Sequence, residues 1–463
     1  MLLAIISAIL LILAFPNFNL SFLVFIGFVP LFFAIRNKPP KKVFWLSYLC
    51  GFLFYLGTLY WLYHVTVFGL IILSLYLALY FGIFGFFINR LTFYISHFTL
   101  LFIPFIWIVL EWLQSHLFGG FGWALLGYSQ YKNLYLIQIA DFSGVYGVSF
   151  IVMVLNVAIY KLFRRSGRAL LVIILVLAMV FGYGRKRMNE EETGESVRVS
   201  VIQGNIPQEL KWNPDAAENN LNQYVNLTRQ AAFESPDLII WPETSFPGYF
   251  ASDKKMTEEV FGLAKKISIP LLIGANTEDV LDIFNSAVLI SKRGEVVDRY
   301  DKIHLVPFGE YVPFSDKLPI LHRLVLGEFG AFTAGKEFKV FKLSKAKPWT
   351  ADNVQGLALD SRFGVLICFE DIFPRMSKKF VQNGAQFLIV ITNDAWYGRS
   401  GAPFQHAACS VFRAIENRVP IVRSANTGYS CFIDSRGRIY DSVEEDGSHL
   451  FISGQKTSNL TLR

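Results

Sequence analysis

The sequence is poor in charge. Asp, Glu, Lys and Arg make up 17% of its 463 residues, and 53% are hydrophobic, whereas soluble proteins carry about 25% charged residues. The shortage is uneven: residues 1–184 are apolar runs with short breaks, and residues 185–463 have the composition of an ordinary soluble domain. This excludes one uniformly water-soluble globule. It divides the chain into a transmembrane helical domain, 1–184, and a water-exposed domain, 185–463. Cysteine is scarce too: Cys50, Cys368, Cys409 and Cys431 are too few for a disulfide framework. Cys409 and Cys431 are candidates for a bridge in an oxidising compartment, with buried thiols as the alternative. His304, His322 and His406 are widely scattered, so no metal is expected. The net charge of +7 could suit nucleic acid. However, there is no arginine-rich tail, zinc spacing or RNA-binding aromatic signature, and a nucleic-acid partner is set aside.

A spanning helix needs about 20 apolar residues, with a lower limit near 17. The runs 43–63, 65–88 and 141–162 qualify by length, and 98–112 and 169–183 qualify with their flanks. Runs 2–15 and 21–35 are short and separated by Pro16-Asn17. Read as two spans they bring the total to about seven; a shallow hairpin leaves the later topology unchanged. The N-terminus lacks a basic n-region and a small-residue cleavage site, so it reads as a retained first span. Basic residues cluster at 36–42, 89–90 and 161–168, all on one side if each run crosses once. By the positive-inside rule that side is the cytoplasm, which sends residue 185 onward to the outside. Charge within the runs is nearly absent. Glu111 and Asp141 lie at run ends within reach of water, and His64 and His97 lie near edges, which weighs against a transporter. The segment 113–140, with Gly119-Gly120-Phe121-Gly122-Trp123 and several tyrosines, is expected to rest on the outer membrane surface.

The second half alternates strand and helix patterns. Residues 197–202, 237–241, 270–273, 284–291, 363–368 and 387–392 read as strands, and 374–383 and 403–418 as helices, which suggests a layered α/β domain. Reactive residue types are expected just past the ends of buried strands: Glu243 in Trp241-Pro242-Glu243, Lys302 in Asp301-Lys302-Ile303-His304, and Cys368 in Ile367-Cys368-Phe369. Strand ends open onto the crevice where such folds bind ligands. Singly, each has a plainer reading: a buried small hydrophobe, a turn residue, a solvated lysine. Together they form a complete set for acyl transfer through a thioester. A carboxylate takes the thiol proton, and an ammonium favours the thiolate and stabilises the oxyanion. Spacing alone does not show that the three meet. The loop 304–335 is rich in Phe, Leu, Val and Pro, an apolar surface that suits an arm beside a bilayer; packing on its own domain is the alternative. Trp396 and Tyr397 are candidates for the substrate mouth, with core packing as the alternative.

The strings Val201-Ile202-Gln203-Gly204-Asn205-Ile206-Pro207, Trp241-Pro242-Glu243, Lys302-Ile303-His304-Leu305-Val306-Pro307-Phe308-Gly309-Glu310-Tyr311-Val312-Pro313, Cys368-Phe369-Glu370 and Thr392-Asn393-Asp394-Ala395-Trp396-Tyr397-Gly398 resemble those of the apolipoprotein N-acyltransferases. These are the membrane branch of the nitrilase (carbon–nitrogen hydrolase) superfamily, and the resemblance spans nearly the whole chain. It implies an α-helical membrane bundle plus an α-β-β-α sandwich on the periplasmic face of a bacterial inner membrane. It implies a catalytic Glu243–Lys302–Cys368 triad with Glu310 and Glu370 in support, Trp212 at the substrate, and no cofactor. Phe369 stands where the family commonly has tyrosine, so any hydroxyl role there is lost. The family usually closes with a further strand and an eighth spanning helix, and no apolar run occurs in 455–463. The activity implied is N-acylation of a diacylglyceryl-cysteine apolipoprotein by a phospholipid donor. The rivals are a membrane-anchored amidase or nitrilase that uses water as acceptor, and a non-catalytic membrane binding protein.

Overall fold

The computed structural model describes residues 1–94, 99–191, 194–280, 282–312, 332–345 and 359–462. They form two compact units, one of residues 1–191 with 397–416, the other of residues 192–396 with 417–463.

The first unit is helical: α1 (Leu2–Leu13), α2 (Val29–Ile35), α3 (Pro40–Thr58), α4 (Val67–Tyr94), α5 (Thr99–Gln114), α6 (Leu134–Ile137), α7 (Ala140–Phe163) and α8 (Gly167–Met188). Val67–Arg90, Ala140–Phe163 and Gly167–Met188 are long and apolar enough to cross a membrane; Leu2–Leu13, Ser21–Ile35 and Phe102–Gln114 are shorter apolar helices. The run 43–63 is not one helix, since α3 gives way to a 3-10 turn at Tyr60–His64. Two other expectations are corrected. Glu111 is not at a wet edge: it is buried, and its Oε1 accepts from Trp107 Nε1 at 2.9 Å and from the Leu126 N–H at 2.8 Å. Most of the segment 113–140 does not lie on a surface, because residues 122–131 are buried within the unit. The helix Ala402–Asn417 supplies part of that packing. Its Gln405 accepts from the indoles of Trp61 (3.1 Å) and Trp123 (2.9 Å), and donates to the carbonyls of Pro16 (2.8 Å) and Thr58 (3.1 Å). These bonds satisfy four buried polar groups that would otherwise carry a desolvation cost.

The second unit is layered. One sheet runs β12-β1-β2-β3-β4-β5, the other β11-β10-β9-β8-β7-β6. Their members are β1 (Ser196–Gln203), β2 (Leu238–Ile240), β3 (Leu271–Asp279), β4 (Asp282–Ile290), β5 (Val296–Asp301), β6 (Val340–Lys345), β7 (Leu359–Ile367), β8 (Phe387–Thr392), β9 (Ile421–Ala425), β10 (Cys431–Ile433), β11 (Ile439–Ser442) and β12 (Gly454–Thr461). The sheets meet face to face, with Ser424 Oγ within 3.0 Å of the Ile202 carbonyl and 3.2 Å of the Ile240 carbonyl. On the outside, α9 (Ala217–Ala232) and α10 (Lys254–Ile267) lay apolar stripes on the first sheet, where Leu221, Tyr224, Val260 and Leu263 join Ile239, Leu271 and Ile273 in one core. On the second sheet α11 (Pro374–Gln382) seats Phe380 against Gly364. This is the nitrilase-like α/β layering expected. The central strands β1-β2-β3 and β7-β8-β9 are parallel; β2 and β8, buried throughout, are continuous apolar runs, Leu238–Ile240 and 387–391. The C-terminal segment, which has no apolar run, nevertheless forms a strand, β12, that pairs with β1 over eight positions.

Candidate active site

Glu243 and Cys368 stand just past the ends of the buried parallel strands β2 and β7, whereas Lys302 follows β5, an edge strand that pairs antiparallel with β4 and is only partly buried, not the buried strand expected. Gly274 of β3 lets the chain turn closely after Trp241-Pro242. A Cβ there would strike the Pro242 carbonyl and come within 2.6 Å of Glu243 Cα. Thr244 turns the backbone at φ 46°. Cys368 itself is held at φ 52°, a left-handed geometry uncommon for a side-chain-bearing residue and frequent at functional turns.

Glu243, Lys302 and Cys368 are 6%, 1% and 7% exposed. Lys302 Nζ donates to Glu310 Oε1 at 2.8 Å and to Glu243 Oε1 at 3.4 Å. Burial opposes its charge, but the two carboxylates outweigh burial and raise the ammonium above its ordinary pKa. Asn285 Nδ2 bridges both carboxylates, at 2.8 Å to Glu243 Oε1 and 3.0 Å to Glu310 Oε1. Glu243 Oε2 accepts from the Asn393 N–H at 2.9 Å, so one carboxylate ties the first sheet to the end of β8. The Cys368 thiol is within electrostatic reach of both partners. Burial and the Glu243 carboxylate push its pKa well up, while Lys302 and a hydrogen bond with Thr392 pull it down. The resting sulfur therefore keeps its proton until a base removes it.

Glu370 is fully buried. Its Oε1 accepts from Tyr300 Oη (2.8 Å) and from the N–H groups of Ile303 (2.8 Å) and His304 (3.1 Å), and its Oε2 accepts from the Ile367 N–H (2.8 Å). It thereby pins the backbone after Lys302 to the backbone before Cys368. Burial pushes its carboxyl up to about 6 against the pull of these donors. Glu310 touches Lys302 directly and accepts the Val306 N–H at 2.8 Å. Phe369 packs on Phe373 at 5.2 Å and near His304 at 6.0 Å between ring centres. Trp212 is half-buried, and Trp396 is 44% exposed. Tyr397 belongs to the helical unit, with its ring 4.5 Å from that of Trp61. The candidate arm falls mostly outside the described residues, which omit 313–331. Among the described residues no three His, Cys, Asp or Glu side chains converge as a metal would require.

Sequence reasoning missed two residues. Asn285 carried a weak signal, a polar pair Asn285-Ser286 inside an otherwise apolar strand. Lys211 carried none: it follows Gln208-Glu209-Leu210, yet it is buried, with Nζ 2.9 Å from the Glu243 carbonyl oxygen.

Residues 7–158 match the family described as the apolipoprotein N-acyltransferase N-terminal domain, and residues 198–453 match carbon–nitrogen hydrolase. An apolipoprotein N-acyltransferase of Geobacter metallireducens is 39% identical over 466 residues, covering 95% of this chain and 86% of that one. The chain belongs to the apolipoprotein N-acyltransferase family. A second member, from Chlorobaculum tepidum, is 33% identical over 95% of this chain and 87% of its own length. Among solved structures, a nitrilase-superfamily amidase from Nesterenkonia AN1 is 18% identical, covers 58% of this chain and 92% of its own, and has a TM-score of 0.41. The family's carbon–nitrogen hydrolase segment thus contains Glu243, Lys302, Cys368, Glu310 and Glu370.

Proposed function

We propose that this membrane enzyme N-acylates lipoproteins by a two-step transfer through a thioester on Cys368. Glu243 takes the thiol proton, and the sulfur attacks the acyl ester carbonyl of a phospholipid. Lys302 stabilises the oxyanion. The ester C–O bond breaks, Glu243 returns the proton to the departing oxygen, and a lysophospholipid leaves. The α-amine of a diacylglyceryl-cysteine then attacks the thioester carbonyl, an amide forms, and the thiol is restored. Glu310 holds the Lys302 charge, Glu370 holds the two catalytic turns in register, and Phe369 packs beneath them. Trp212, Trp396 and Tyr397 meet the substrates. In the same reading, 1–184 is a membrane domain of about seven spans in a bacterial inner membrane, and 185–463 is the periplasmic catalytic domain.

The observation that carries the reading is the Glu243 carboxylate, held by Asn285 and the Asn393 N–H within reach of both the Lys302 ammonium and the Cys368 thiol. The test is mass spectrometry of the purified protein after exposure to phospholipid, followed by addition of a diacylglyceryl peptide. A fatty-acyl mass on Cys368 that moves to the peptide amine is the expected result. Free fatty acid without N-acyl peptide would instead assign a hydrolase, and wild-type function in Cys368→Ser would assign a non-catalytic role.

A further inference from the structure

Lys211 is unused by the mechanism above, and its position is unusual. It lies just after a 3-10 turn at Gln208–Leu210, outside the strands, yet it is 4% exposed. Long lysine side chains ordinarily carry their heads to water. Here the head is turned inward, and Nζ donates to the backbone carbonyl of Glu243 at 2.9 Å. Among the described residues that carbonyl is its hydrogen-bond acceptor, so the nitrogen retains bonding capacity for a further group. The titratable groups that act on it are Glu243 and Cys368, one from each sheet; Glu209, on its own turn, is exposed. A buried amine with one neutral partner is costly to keep charged. Burial lowers Lys211 to about 7, against the opposing pull of Glu243 and Cys368. Lys302, by contrast, has two carboxylates against it and stays cationic. The site therefore holds two lysines of different kinds.

The second half-reaction gives the less basic one a task. An α-amine in water is largely an ammonium at neutral pH. To become an amide nitrogen it must lose one proton before attack and a second after it. The departing sulfur takes back one, so one proton must leave the site in every turnover. Glu243 can hold a single proton, which it needs for the exchange with sulfur. We propose, on the basis of the thioester reading, that Lys211 is the proton acceptor for the incoming ammonium of the acceptor lipoprotein. Lys211 amine takes the first proton and becomes an ammonium, and the freed amine attacks the thioester carbonyl. The second proton passes through Glu243 to the sulfur as the C–S bond breaks. Lys211 then returns its proton to water. Protons balance, and no further reactant is needed.

The two half-reactions separate this inference from the reading it rests on. Full-length wild type and the variants Lys211→Arg and Lys211→Met are charged with phospholipid in detergent, and acyl-enzyme is followed by mass. Each is then offered a diacylglyceryl peptide or hydroxylamine, a nucleophile already neutral at neutral pH. Arg keeps the charge but cannot give up its proton. For both variants transfer to the peptide should fall about 100-fold or more, with acyl-enzyme formation and hydroxylamine cleavage falling less than about 10-fold. The lost transfer should recover as pH is raised and the peptide amine deprotonates unaided. Peptide transfer within threefold of wild type in either variant overturns the proposal. So does an equal loss toward peptide and hydroxylamine, or a loss that pH does not relieve. If the variants form no acyl-enzyme, wild-type transfer decides: a rate that keeps rising with pH only as the free peptide amine deprotonates, with no earlier break near 7, also overturns it. Failure of wild type to form acyl-enzyme would instead strike the thioester reading.

Discussion

The ammonium of Lys302 is the most constrained charge at the site. It is 1% exposed, 2.8 Å from one carboxylate and 3.4 Å from another. Removing one partner of a buried pair costs about 3–5 kcal/mol, because the remaining charge is stranded. Lys302→Met should therefore lower the thermal midpoint and abolish acyl-enzyme formation. Glu310→Gln should do less, since Glu243 remains, and the double variant should be less than additive by at least ~1 kcal/mol. Full additivity in that cycle would mean the pair is not coupled. The pH dependence has a definite sign. The folded pKa lies above the unfolded one, so the stabilisation is complete below about 10.5 and is lost only as pH rises through the folded value. A pair titrated between pH 6 and 9 would contradict this. Glu243 and Cys368 were legible in the sequence because each follows an apolar strand, whereas Lys302 follows the charged edge strand β5 and was legible only through its motif. Lys211 was not, because its burial depends on where β2 and β7 end.

At the scale of elements, the close turn after β2 aims Glu243. Gly274→Ala places a methyl against backbone, within 2.6 Å of Glu243 Cα and 2.7 Å of the Thr244 nitrogen. Backbone does not yield as a side-chain tip does, so the turn must move. A displacement near 1 Å can cost about 100-fold in rate, and overpacking about 1–3 kcal/mol. Acyl-enzyme formation should drop accordingly, and a wild-type rate would show the turn to be compliant. In the helical unit, Gln405→Leu leaves two indole N–H groups and two carbonyls without partners. A loss of at least ~3 kcal/mol is expected from about 1–3 per orphaned group, read as a lowered thermal midpoint, with Gln405→Glu intermediate. The helix around Gln405 was readable from its apolar spacing. Its place in the first unit was not, since Gln405 meets residues more than 340 positions away in sequence.

Across the whole molecule, the end of the chain returns to the start of the second unit: β12 covers the edge of β1, from Ser196 opposite Thr461 to Gln203 opposite Gly454. An uncovered edge that carries Val197, Val199 and Val201 would be a template for another chain. Removing residues 454–463 should shift the detergent-solubilised protein toward oligomers on size exclusion, and an unchanged profile would mean the edge is protected otherwise. Composition by itself determined that the chain has an apolar helical part and an α/β part, because burial demands apolar runs whatever their partners. Local pattern also determined the buried strands that Glu243 and Cys368 follow. Only the tertiary structure decided that Glu243 reaches Lys302, Glu310 and β8 at once, that Glu111 is buried, and that residues 397–416 belong with the helices. Each of these is a meeting of distant segments. Periodicity reports which face of an element is apolar, but not which other element covers it.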